Sequence, residues 1–165
     1  MSLMWRKRYK ANQKGYAVNL KGYAMDPNYW LVLSSLSFLA PTALSIHMKS
    51  YDIASIYFLV TITSSAYHFT KNPYILYVDY PLNQLSHVMT VYKILPGGMK
   101  TMPYYFIWLT YTVYIYYYGY MNNNLIWNPD IQAATPWHVT MHVSTAATTY
   151  YTLYQRHLLT SSLPE

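Results

Sequence analysis

The stretch WLVLSSLSFLAPTALSIHM, residues 30–48, carries no Asp, Glu, Lys or Arg. At about 1.5 Å of helical rise per residue it covers roughly 28 Å, close to the thickness of a bilayer's hydrocarbon core. Outward from it the pattern repeats. IASIYFLVTITSSAYH (53–68) is a second uncharged run, ended by Thr70-Lys71-Asn72-Pro73, where proline stops a helix. Residues 74–92 hold one charge, Asp79, and give way at Lys93 to the turn signal Pro96-Gly97-Gly98. Residues 101–129 hold none; Met102 to Tyr120 forms the fourth segment, closed by Asn122-Asn123-Asn124. The fifth opens at Thr135-Pro136, read as a threonine cap with proline in the first helical turn, and runs to about Tyr154 before Arg156.

Charged residues make up 10% of the 165 positions, against about 25% in soluble domains. The expected fold is therefore all-α: a polytopic membrane helix bundle with about five transmembrane helices. Residues 1–29 form a basic arm, 30–155 the transmembrane domain and 156–165 a C-terminal tail. A mean hydropathy near zero conceals this, because 22 tyrosines score as polar while presenting apolar rings. Those of the fourth segment gather towards its ends, as interfacial belts do. A soluble helical bundle is the competing class, since the second and third segments are short and rich in polar residues.

Basic residues set the orientation. One side holds Arg6, Lys7, Arg8, Lys10, Lys14, Lys21 and Lys71, and the other Lys49, Lys93, Lys100 and Arg156. The richer side, with the N-terminus, is expected to face the cytoplasm or matrix, in the mitochondrial inner membrane or an endoplasmic reticulum or Golgi membrane. Membrane lipid is the expected partner. Nucleic acid is not, because the net charge of +6 resides in an arm beside a span rather than on a folded face. With no cysteine, disulfides, thiolate metal sites and cysteine nucleophiles are excluded.

Polar groups at membrane depth are costly unless they serve one another or a ligand. Five qualify: Ser64, His68, Asp79, His138 and His142. With five antiparallel spans, the end of the second, the start of the third and the start of the fifth share one membrane face. His138 and His142 lie one turn apart on one helical face, as a zinc-chelating pair does, and Ser64 stands one turn from His68. Three imidazoles with one open position are the ligand count of a catalytic zinc, which leaves Ser64 and Asp79 to hold or deprotonate water. Each residue also has a plainer reading: His68 as an interfacial residue, Asp79 before Tyr80-Pro81 as a cap, Ser64 as a packing residue. His47 and His157 fall on the opposite side, and His87 lies about two turns deeper. A haem held by His87 and His142 would leave the other candidates unexplained.

SSAYH (64–68), an aspartate eleven residues later at position 79, and PWHVTMHVSTA (136–146) together resemble the CREST superfamily of membrane hydrolases, which includes the alkaline ceramidases and the adiponectin receptors. The resemblance implies zinc on His68, His138 and His142, a catalytic water held by Ser64 and Asp79, and hydrolysis of a lipid amide such as ceramide. The family core has seven spans, so five correspond to loss of one hairpin between the third and last. Only Asp26 and Asn28 stand where alkaline ceramidases carry an acidic calcium-binding stretch, and calcium is not expected. The alternative is a non-catalytic accessory subunit of a larger membrane assembly, such as a mitochondrial respiratory complex, keeping a vestigial zinc. The small-residue run Ser144 to Thr149 suits such close helix packing.

Overall fold

Asn28 starts the first helix by accepting the Leu31 N–H on its side-chain oxygen at 3.2 Å. A computed structural model describes residues 27–95, 102–128 and 130–161 of the chain; the basic residues before Asp26 and the Pro96-Gly97-Gly98 turn lie outside them. The first helix, α1, spans Tyr29–His47 and tightens into a 3-10 turn at Leu36–Phe38. Pro41 explains the tightening: it offers no N–H to the Ser37 carbonyl, and its ring presses on that turn.

A reversal through Lys49, in the left-handed region at φ 56°, leads into α2, Tyr51–Thr70. Lys71 ends α2 in the same left-handed conformation, at φ 55°. Asn72 then caps α3, Pro73–Ile94, by accepting the Tyr74 N–H at 2.9 Å. The fourth rod, α4 (102–122), joins Met102–Val113, a π-helical turn at Tyr114–Tyr118 and Gly119–Asn122. Asn123 closes it at φ 51°. A short 3-10 turn, Leu125–Trp127, folds back so tightly that a Cβ on Gly119 would sit 2.7 Å from the Asn124 carbonyl oxygen. The last helix, α5, covers Ile131–Ser161.

The start of α5 corrects the expected one. Asp130 caps it, accepting the Gln132 N–H at 2.9 Å, so the helix begins before Thr135. The Thr135 hydroxyl donates to the Ile131 carbonyl, and Pro136 lies inside the helix. Proline there removes one internal bond, to the Gln132 carbonyl, and an aspartate cap with a helix of 31 residues offsets that loss. Asp79 likewise caps nothing, because α3 begins at Pro73 and continues through Pro81.

The described residues are helical, in five rods joined by turns and the two segments left out. α2 packs on α1 and α3, and α5 packs on α1, α3 and α4. The interior mixes hydroxyls with an apolar core, and many large apolar side chains lie on the outside. Ser34, Ser35, Ser45, Thr61, Ser64, Ser86, Thr90, Thr145, Thr149 and Thr152 are buried, among Phe38, Ile53, Tyr57, Ile94, Tyr105 and Leu153. Trp30, Leu33, Phe58, Ile62, Tyr77, Val88, Ile107 and Val143 face outwards. Among the described residues, Tyr29–His47 is the one helix long and apolar enough to cross a membrane by length and composition alone.

One tyrosine ties three helices at mid-bundle. The Tyr57 hydroxyl of α2 lies 2.8 Å from Thr90 Oγ1 of α3 and 3.0 Å from Thr149 Oγ1 of α5. Thr90 donates its hydrogen to the Ser86 carbonyl, so Tyr57 donates to Thr90 and accepts from Thr149. Tyr57→Phe strands a buried threonine donor and should lower stability by about 1–2 kcal/mol. Unfolding of the purified protein measures this, with exposed Tyr74→Phe as the silent control; equal midpoints for Tyr57→Phe and wild type would contradict the assignment.

Candidate metal centre

The end of the bundle that begins α1 and α5 and ends α2 gathers three imidazoles. His68 stands in the last turn of α2, and its carbonyl accepts the Asn28 N–H at 3.2 Å. Asn28 also donates its side-chain amide to Thr135 Oγ1 at 2.8 Å, so one residue joins the ends of α1, α2 and α5. His138 and His142 come from α5, with ring centroids 4.7 Å apart as their four-residue spacing dictates. The His68 ring lies 4.9 Å from His138 and 5.3 Å from His142.

One nitrogen of each ring lies within 4.8 Å of one nitrogen of each other ring. His68 and His142 are buried and His138 half-buried. Tetrahedral zinc bonded at about 2.0–2.1 Å needs its nitrogens roughly 3.4 Å apart, so binding calls for the rings to close by up to about 1.4 Å. The donor set fits such an ion in another respect. His68 Nδ1 is buried without a hydrogen-bond partner, a costly state for a ring nitrogen that a bound cation or its water would relieve. Among the described residues no carboxylate completes the set, so three protein ligands leave one position open.

Around the ligands runs a chain of hydroxyls. His142 Nδ1 is 2.9 Å from Ser34 Oγ and 3.4 Å from Ser35 Oγ, both on α1. Ser35 Oγ is in turn 3.0 Å from Ser64 Oγ, which places Ser64 behind the imidazoles at one remove. Asp79 stands apart: its Oδ1 accepts the Thr63 hydroxyl at 2.7 Å, on the face of α2 next to the one bearing Ser64. The centre therefore unites His68, His138 and His142, reaches Ser64 through Ser35, and leaves Asp79 with Thr63. Lys71 closes the same end with Nζ 5.8 Å from the Tyr67 ring centroid, and burial holds its ammonium below the ordinary lysine range.

The remaining histidines lie elsewhere. His87 packs on Trp108 of α4, with centroids 4.9 Å apart, rather than facing His142 across a haem. His47 and His157 meet at the opposite end, 5.9 Å apart. Ser34, Ser35, Asn28 and Thr63 are the participants that the sequence reading did not single out. The first two had a visible signal, adjacent hydroxyls in the middle of an uncharged span.

Comparison with protein-family models, curated proteins and solved structures gave no match.

Protein purified without chelator should carry one zinc per chain. His138→Ala or His142→Ala should weaken binding by more than about 100-fold, beyond the loss typical of residues behind the ligands. Zinc quantification after dialysis against graded chelator reads both; equal retention by wild type and the two variants would contradict the centre.

Proposed function

We propose that this chain is an integral membrane protein whose five helices cross the bilayer and whose three-histidine centre holds zinc for hydrolysis of a lipid amide, ceramide-like in class. The observation that carries the reading is the convergence of His68, His138 and His142 at one end of the bundle. The many large apolar side chains on the outer surface support the membrane setting, since water disfavours extensive exposed apolar area. The resemblance to the CREST motifs supports the chemistry. By the distribution of basic residues, this end faces the cytoplasm or matrix.

A zinc ion supplies Lewis acidity at such a site, acidifying water towards a pKa of about 7 and polarising a carbonyl. The residues of the chain do the rest. His68, His138 and His142 hold the ion from two helices. Asp79 would accept the proton of the attacking water and return it to the departing amine, for which its carboxylate must approach the histidines from its place beside Thr63. Ser64 steadies the hydroxyl chain behind the ligands.

A second reading keeps the zinc and drops the reaction: an accessory subunit in which the ion ties α2 to α5, since metal binding adds to folding free energy. One observation favours it. Two surface grooves among the described residues, of about 440 Å³ by Tyr104, Trp108 and Tyr151 and about 330 Å³ by Ile62, Thr63 and Tyr74, are lined by none of the three histidines.

The two readings part on one assay. Zinc-loaded protein in lipid nanodiscs, given a fluorescent ceramide, should release fatty acid, and Asp79→Asn should slow this by about 10²–10⁴-fold while retaining zinc. Zinc-loaded protein that hydrolyses no N-acyl lipid refutes the hydrolase and leaves the accessory subunit.

A further inference from the structure

Three serines of α1, Ser34, Ser35 and Ser37, all approach His142, although α1 contributes no ligand to the metal centre. Ser34 Oγ lies 2.9 Å and Ser35 Oγ 3.4 Å from the Nδ1 of His142. Ser37 Oγ reaches the His142 carbonyl oxygen at 3.5 Å. The Phe38 ring closes the side of the imidazole, with centroids 5.6 Å apart and Phe38 itself buried. The 3-10 turn at Leu36–Phe38 follows this contact directly. The Nδ1 of His68, by contrast, has no hydrogen-bond partner.

The direction of the shortest bond follows from counting hydrogens. A serine hydroxyl has one hydrogen, and Ser34 gives its own to the Leu31 carbonyl at 3.0 Å. With its hydrogen on that carbonyl Ser34 accepts from His142, the arrangement in which Nδ1 carries the imidazole proton. A neutral imidazole protonated at Nδ1 has its lone pair at Nε2, the nitrogen on the other edge of the ring. Hydrogen bonding of the non-ligating nitrogen fixes both the tautomer and the orientation of a metal-binding histidine. A backbone carbonyl is the usual acceptor, and here the Leu31 carbonyl serves through a serine relay.

We propose that Ser34 is the positioning residue of the metal centre, holding His142 by its Nδ1–H so that Nε2 is presented to the ion. The assignment rests on the metal reading given above, and adds to it a helix that tunes the site without touching the ion. Ser35, at the longer distance, is the lesser partner. In the accessory reading the same relay would fasten α1 to the zinc-bound pair of helices, so the assignment does not depend on hydrolysis.

The test measures zinc affinity and histidine tautomer in wild type, Ser34→Ala, Ser34→Thr and Ser35→Ala. Ser34→Ala should weaken zinc binding by about 10–100-fold, Ser34→Thr should restore it to within a few-fold, and Ser35→Ala should cost less than Ser34→Ala. Nitrogen-15 NMR of histidine-labelled wild type should show His142 protonated at Nδ1, with zinc shifting Nε2. Circular dichroism establishes that each variant keeps its helices. Zinc binding unchanged by Ser34→Ala, or a His142 proton on Nε2, overturns the positioning role alone. Wild-type protein that takes up no zinc overturns the metal reading and this assignment with it.

Discussion

A nitrogen or hydroxyl buried inside this bundle has only backbone carbonyls and other side chains to bond. That constraint orders the structure. Buried threonines return their hydrogens to carbonyls four residues back, as Thr42 does to Phe38, Thr61 to Tyr57 and Thr90 to Ser86. Where two hydroxyls meet across helices they become ties: Tyr57 with Thr90 and Thr149 at mid-height, Ser35 with Ser64 nearer the end. Such bonding leaves the Nδ1 of His68 unpartnered at the three-imidazole end, as it leaves the Nδ1 of His87 and the Nε1 of Trp108 elsewhere. A cation is the partner that the geometry and neutral lone pairs of the three imidazoles invite.

The two ends of the bundle differ in kind. At the far end Asp52 and Lys93 form an ion pair at 2.9 Å between the start of α2 and the finish of α3, with both side chains reaching the surface. His47 and His157 sit edge to face at that end. These are groups that water can reach in part, and an exposed pair of this sort contributes little to stability. At the histidine end the polar groups are enclosed, and Asn28 locks the chain termini of three helices with its backbone N–H and both polar atoms of its side chain. Enclosure at one end and exposure at the other fit a site in the first and a surface in the second.

Much of this could be read in the sequence, for reasons that also explain what could not. Charge-free windows and their punctuation gave the five rods and their order, and alternation of direction then put His68, His138 and His142 at the same height. Height along the axis is easily read; azimuth is not. Thr63 and Ser64 differ by one residue and about 100° around α2, which is why Asp79 meets Thr63 while Ser64 joins the serines of α1. The Thr135-Pro136 pair looks like a helix start by residue preference, but Asp130 upstream offers a better acceptor to the first turn. Ser34 and Ser35 went unremarked because a hydroxyl in an apolar span is ordinarily satisfied by its own helix, and both do lie within hydrogen-bonding distance of the Leu31 carbonyl. Their further contacts are the ones that reach His142 and Ser64.

The whole account depends on the three rings closing on one ion. X-ray absorption at the zinc edge of the membrane-extracted protein tests that closure most directly. Three imidazole nitrogens and one further light atom at about 2.0–2.1 Å are the predicted shell. A shell of oxygens without imidazole scattering, or protein that gives no zinc edge, would show that the histidines share a neighbourhood without forming a metal centre.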